Sequence, residues 1–201
     1  MTPEELYIVL SQIFPQNKVD SVCEVEPTCR RRGFCAEKQK LPVLDFDKIK
    51  DEYYHGQRVL TPSSVDAVAL GSSKSRFCFI EMKGWKNYIR YLDKQRYDIP
   101  QTVAGYNLSV KLEDSQKLCI AITADPDLFA KLPILFLLVT DIDVHTHGIE
   151  AFHDWLTALT ETSSDTYSQC ISNAKQTLDS EIHIEHQFIK CTDFDNVMAL
   201  L

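Results

Sequence analysis

Between Ile134 and Asp141 the chain reads ILFLLVTD, six apolar residues in unbroken succession before a threonine and an aspartate. Strands with one wet face alternate apolar and polar residues, so this run predicts a strand covered on both faces. A covered strand needs elements packed above and below it, which points to a layered fold containing helices. Two further apolar runs, VDAVALG (65–71) and RFCFIEMK (76–83), flank a short polar turn and read as a hairpin. KLCIAIT (117–123) reads as another buried strand, joined to 134–141 by DPDLFAKLP, and a last strand is expected near 182–190. Helices are expected over 3–14, 45–54, 85–97, 101–112, about 149–159 and 164–178. In the first of these Thr2 is the expected N-cap, with Leu6, Leu10, Ile13 and Phe14 facing inward. The expected class is α/β, with a central mixed β-sheet flanked by helices.

Composition bounds the size and setting. The 201 residues, 44% hydrophobic and 25% charged, suit one folded domain. Three stretches are expected within it: 1–44, a helix and an irregular Cys- and Arg-containing segment; 45–141, the core; and 142–201, an acidic and mostly helical part packed on that core. No apolar run approaches the ~18 residues of a membrane-spanning helix, and the glutamates of MTPEELYIVLSQIF do not suit a secretory signal. Seven scattered cysteines suggest a reducing compartment, so a cytoplasmic protein is expected, with no membrane partner.

Charge is distributed unevenly. Residues 1–140 hold 19 Lys and Arg against 18 Asp and Glu, whereas residues 141–201 hold 2 against 11. Five of the six histidines lie in that acidic third. A solvated helical face or a docking surface for a basic protein partner would each account for it.

The chemistry-bearing segment is the hairpin. Alternation places Phe77, Phe79, Glu81 and Lys83 on one face of its second strand, and Cys78, Ile80 and Met82 on the other. A turn at 71–76 pairs residues whose numbers sum to about 147, which brings Asp66 beside Glu81. Two carboxylates and an ammonium group thus meet at one end of the hairpin. Two carboxylates can hold Mg²⁺ or Mn²⁺ through hard oxygen atoms, with the Met82 carbonyl as a further ligand. A lysine beside them can stabilise a charged phosphoryl transition state.

The pattern Asp66-x14-Glu81-Met82-Lys83, on a hairpin followed by a helix, resembles the PD-(D/E)xK nuclease superfamily, which includes restriction endonucleases and lambda-exonuclease-like enzymes. The resemblance covers residues 45–140. It implies a restriction-endonuclease-like core, Asp66 and Glu81 as metal ligands, and Lys83 as the catalytic lysine. It also implies an acidic ligand from the preceding helix, Glu52 first and Asp51 next. Val65 stands where the family carries a proline, and Gln95 and Gln101 are alternatives for a supporting glutamine. The following helix adds a basic stripe, Lys86, Arg90 and Lys94, interleaved with Trp85 and tyrosines; it suits phosphates and bases.

The expectation is a metal-dependent nuclease, with DNA as the expected nucleic acid. It would act as a subunit of a larger complex, and the resemblance suggests prokaryotic antiviral defence as a setting. The alternative is a catalytically silent nuclease-fold scaffold or partner-binding subunit. Other constellations are weaker. Cys23, Cys29 and Cys35, at C-x5-C-x5-C spacing, lack zinc-ribbon pairs, and Arg30, Arg31 and Arg32 lie among them. Asp141, Asp143, His145 and His147 alternate just past a strand, and His183 and His186 would face opposite ways. The glycine signatures of esterases, P-loop NTPases and dinucleotide-binding folds do not occur.

Overall fold

The computed structural model describes residues 1–25, 39–84, 105–141 and 164–201, the last with side chains from 171 onward. Six strands form one mixed sheet in sequence order: β1 Lys18–Val19, β2 Val43–Asp45, β3 Ala67–Leu70, β4 Phe77–Lys83, β5 Ile134–Thr140 and β6 His186–Lys190. The first four are antiparallel neighbours, and β5 and β6 then add in parallel. A parallel step needs a long crossover. The stretch between β4 and β5 carries α3 (Leu108–Thr123) and α4 (Leu128–Lys131), and that between β5 and β6 carries α5 (Ser164–Glu181). The remaining described helices are α1 (Pro3–Ile13), α2 (Phe46–Tyr53) and α6 (Phe194–Leu200). The coarse class is therefore as expected, α/β with helices against a mixed sheet.

The alternation in β4 divides the core. Phe77 and Phe79, with Val68, Phe136 and Leu138, face an apolar layer containing Leu6 and Leu10 of α1, Ile49 of α2, Leu112 and Cys119 of α3, and Leu178 of α5. Cys78, Ile80 and Met82, with Leu135, Leu137 and Val139, face Val22 and Cys23 and the Phe194 and Met198 of α6. β5 is covered on both sides, which is why its sequence does not alternate. Thr2 caps α1 as expected, accepting the Glu5 N–H at 3.2 Å while Glu5 accepts the Thr2 N–H at 2.7 Å. Such a cap is worth about 1 kcal/mol.

Several expectations are corrected. Residues 117–123 are not a strand but the second half of α3. The buried residues Leu108, Leu112, Ser115 and Cys119 recur at helical spacing, and that stripe overrides the β-branched Ile120 and Ile122. The helix expected at 101–112 starts at Leu108 and runs past its expected end. Strand β6 begins at His186 rather than near 182, and the two short strands β1 and β2 were not foreseen. Ile13 is half exposed, at 50%, while Leu6, Leu10 and Phe14 are buried. The helices expected at 85–97 and about 149–159 lie outside the described residues. No helix among the described residues is long and apolar enough to cross a membrane.

Candidate active site

The hairpin register is the one its sequence implies. Ala67 pairs with Ile80 and Val68 with Phe79; one step further along sets Asp66 across from Glu81. The turn closes through the Arg76 carbonyl accepting the Gly71 N–H at 3.1 Å, with Lys74 at φ +60°. Asp66 is tied down on both sides. Its carboxylate accepts the Met82 N–H at 2.6 Å, and its carbonyl accepts the Phe46 N–H at 3.0 Å. The second bond fixes the start of α2 beside Asp66.

Glu81 is fully buried, with 0% exposure, on the same face as Phe77 and Phe79. Its Oε1 accepts from two ammonium groups, Lys83 at 2.5 Å and Lys111 at 2.6 Å. Its Oε2 is buried and has no hydrogen-bond partner among the described residues. Leaving a carboxylate oxygen buried and unpaired costs free energy, which a cation or water at Oε2 would recover. Lys83 Nζ also lies over the Tyr106 ring, 4.9 Å from its centroid, a cation–π contact that helps hold the side chain.

Lys111 was not singled out from the sequence. It belongs to α3, and α3 is fastened to the hairpin by Ser115. The Ser115 hydroxyl accepts the Val65 N–H at 3.0 Å and donates to the Lys111 carbonyl at 2.7 Å. Lys111 and Ser115, four residues apart, share one face of α3, so the bond to Val65 delivers Lys111 to the residue after it, Asp66, and to Glu81. Burial alone would lower the Lys111 pKa. The charges of Glu81 and Asp66, the hydrogen bond to Glu81 and the charge of Asp47 outweigh it, and the net shift is upward. Lys111 therefore stays charged.

Asp66 responds in the opposite sense. Burial, reinforced by the Glu81 carboxylate, raises it from 3.8 to about 7. Lys111, Lys83 and the Met82 N–H pull it back down without cancelling the rise. The two lysines serve Glu81, and Asp66 is left short of positive charge. Two convergent carboxylates, one with a buried unpartnered oxygen and the other resisting ionisation, fit a hard divalent cation such as Mg²⁺ or Mn²⁺. Among the described residues no group of three or more His, Cys, Asp and Glu that could hold a metal ion comes together; Asp66 and Glu81 are the carboxylates the hairpin brings together. Met82 sends its side chain to the opposite face and gives its N–H to Asp66, which leaves its carbonyl as the only group it could offer an ion.

The α2 carboxylates are placed by where that helix starts. Glu52, in its last turn, accepts from Asn17 Nδ2 at 3.0 Å and from Gln16 Nε2, and so ties α2 to the segment before β1. Asp51 is exposed beside Lys50. Asp47, in the first turn, is the α2 carboxylate whose charge reaches Lys111; it also accepts from Ser64 Oγ, and from Lys50 at 2.9 Å. Trp85, Lys86, Arg90 and Lys94 lie outside the described residues, as do Cys29, Cys35, Arg30–Arg32, Gln95, Gln101, Asp143, His145 and His147. Cys23 is buried in the apolar layer beneath α6. His186 contacts Asp179 at 3.1 Å and the Ile184 carbonyl at 3.0 Å.

No family model matches the chain, and neither the curated proteins nor the solved structures give a match.

Proposed function

We propose that the chain is a metal-dependent nuclease of the PD-(D/E)xK type that hydrolyses phosphodiester bonds, with DNA as the favoured substrate. The observation that carries this reading is Glu81: fully buried, set across from Asp66, gripped by two lysines through one oxygen and unpartnered at the other. Asp66 and Glu81 would hold Mg²⁺ or Mn²⁺, with the Met82 carbonyl available; such an ion polarises a phosphoryl oxygen and lowers the pKa of bound water.

The rest of the work falls to the chain itself. Lys83, steadied by Tyr106, presents an ammonium group beside Glu81, where it orients an attacking water and offsets charge developing on the phosphate. The Ser115–Val65 bond and the Met82–Asp66 bond keep both carboxylates and Lys111 in register, so little reorganisation is required at the moment of reaction. The basic stripe Lys86, Arg90 and Lys94 with Trp85 is proposed to hold the nucleic-acid backbone, and the acidic residues after 141 to dock a basic protein partner. A cytoplasmic subunit of a prokaryotic defence complex is the setting proposed.

The test is incubation with Mg²⁺ or Mn²⁺ and with single- and double-stranded DNA and RNA. Cleavage should appear in the wild type and vanish in Lys83→Ala and Glu81→Gln. Persistent cleavage by both variants would sink the assignment. No cleavage by the wild type, together with no metal binding, would leave the silent nuclease-fold scaffold as the better account.

A further inference from the structure

The carboxylate pair has oxygen atoms ready for a cation, yet two ammonium groups already stand beside it. Lys83 and Lys111 both place their charge on Glu81 Oε1. Asp47, the other carboxylate acting on Lys111, has its own cation in Lys50 at 2.9 Å. A divalent ion entering this cluster adds two positive charges beside two ammonium groups, in a partly dry site where charges interact strongly. A phosphodiester brings the negative charge that offsets them.

Lys111 is the lysine built to move between these states. Its backbone is anchored through Ser115 to Val65, while its side chain is partly exposed, at 22%. A four-carbon stem lets the ammonium group leave Oε1 for a nearby phosphate without shifting α3. Lys83 lies against Tyr106 and is the less free of the two.

We propose that Lys111 couples metal loading to substrate: it is the resident counter-cation of the Asp66–Glu81 pair and keeps divalent-ion affinity low until a phosphodiester arrives to share its charge. This rests on the nuclease reading and adds an order of assembly to it. Lys111 acts through Glu81 and is a positioning residue.

The experiment is calorimetric titration of Mn²⁺ into the full chain, alone and with a cleavage-resistant phosphorothioate oligonucleotide, DNA in one arm and RNA in another. In the wild type the oligonucleotide should tighten Mn²⁺ binding at least about tenfold, the effect expected of one nearby charge after screening. In Lys111→Met the free chain should bind Mn²⁺ at least about tenfold more tightly than wild type, and the oligonucleotide should add less than about threefold. Lys111→Arg keeps the charge and should behave as wild type. Circular dichroism checks that each variant is folded. If Lys111→Met does not fold, the wild-type comparison with and without oligonucleotide decides, and equal affinity in the two arms overturns the proposal. A folded Lys111→Met that binds Mn²⁺ no more tightly than wild type, or keeps the full oligonucleotide effect, overturns it as well. If folded wild type binds Mn²⁺ in neither arm, the metal-centred nuclease reading falls and takes this inference with it.

Discussion

Replacing Asp66 with asparagine should stabilise the metal-free protein at neutral and higher pH, although it removes a proposed metal ligand. The amide oxygen of the introduced asparagine can still accept the Met82 N–H, so the local hydrogen bond survives. What the substitution removes is the charge that burial and Glu81 make unfavourable. A carboxyl group raised from 3.8 to about 7 binds its proton more tightly in the folded state than in the unfolded one. Its contribution therefore favours folding at low pH and is lost as pH rises from about 4 through 7. At ~1.4 kcal/mol per pH unit the full interval amounts to about 4 kcal/mol. Asp66 is only partly buried, and screening by water reduces this to an expected difference of about 2 kcal/mol.

The assay is urea unfolding of wild type and Asp66→Asn in EDTA at pH 4.5, 6, 7 and 8.5. The variant's advantage should be smallest at pH 4.5, about a quarter of its full size, grow through the middle and level off above about pH 7. Added Mn²⁺ with oligonucleotide should reverse the order, because only the wild type gains binding energy from a charged ligand pair. If the variant were less stable at pH 8.5, or its advantage were equal at pH 4.5 and 8.5, the account of Asp66 as a carboxylate starved of positive charge would be wrong.

Three further outcomes follow from the same geometry. Lys83→Ala should abolish cleavage while leaving Mn²⁺ binding at least as tight as in wild type, measured by calorimetry beside single-turnover kinetics; a loss of metal binding as large as that of Asp66→Asn would mean the roles are misassigned. Ser115→Ala should cost about 1–3 kcal/mol in urea unfolding by stranding the buried Val65 N–H; a change below a few tenths would show that α3 is held to the hairpin by other means. Reversing Lys86, Arg90 and Lys94 to glutamate should weaken oligonucleotide binding and flatten its salt dependence, since fewer counterions are released; an unchanged slope in filter binding would remove that stripe from the substrate path.

What the sequence made legible was local. The hairpin could be registered from its two apolar runs and its turn, because side-chain alternation lets a register slip by one residue only by turning every side chain over. That rule put Asp66 opposite Glu81 and Lys83 on the face of Glu81, as the structure has them. The strands β1 and β2 were hidden because two or three residues carry no period. Residues 117–123 misled because a short apolar segment is compatible with both a covered strand and a buried helix face. Only the longer view from Leu108 to Cys119 separates the two.

The misreading of 117–123 is also why Lys111 was missed. With a strand assigned there, Lys111 sat at the loose end of a different helix. With α3 continuous, Lys111 and Ser115 fall on the same side as the buried Leu108, Leu112 and Cys119, and a lysine on an apolar stripe needs a buried acid to face. The α2 carboxylates teach the same point at longer range. Glu52 and Asp47 are equally acidic in sequence, and which of them lies next to the hairpin depends on which end of α2 starts there. The pairing of Asp45 with Ala67 and the Phe46–Asp66 backbone bond decide it by placing the first turn, with Asp47, beside the hairpin. No pattern within the helix encodes that choice, because it is made by a three-residue strand.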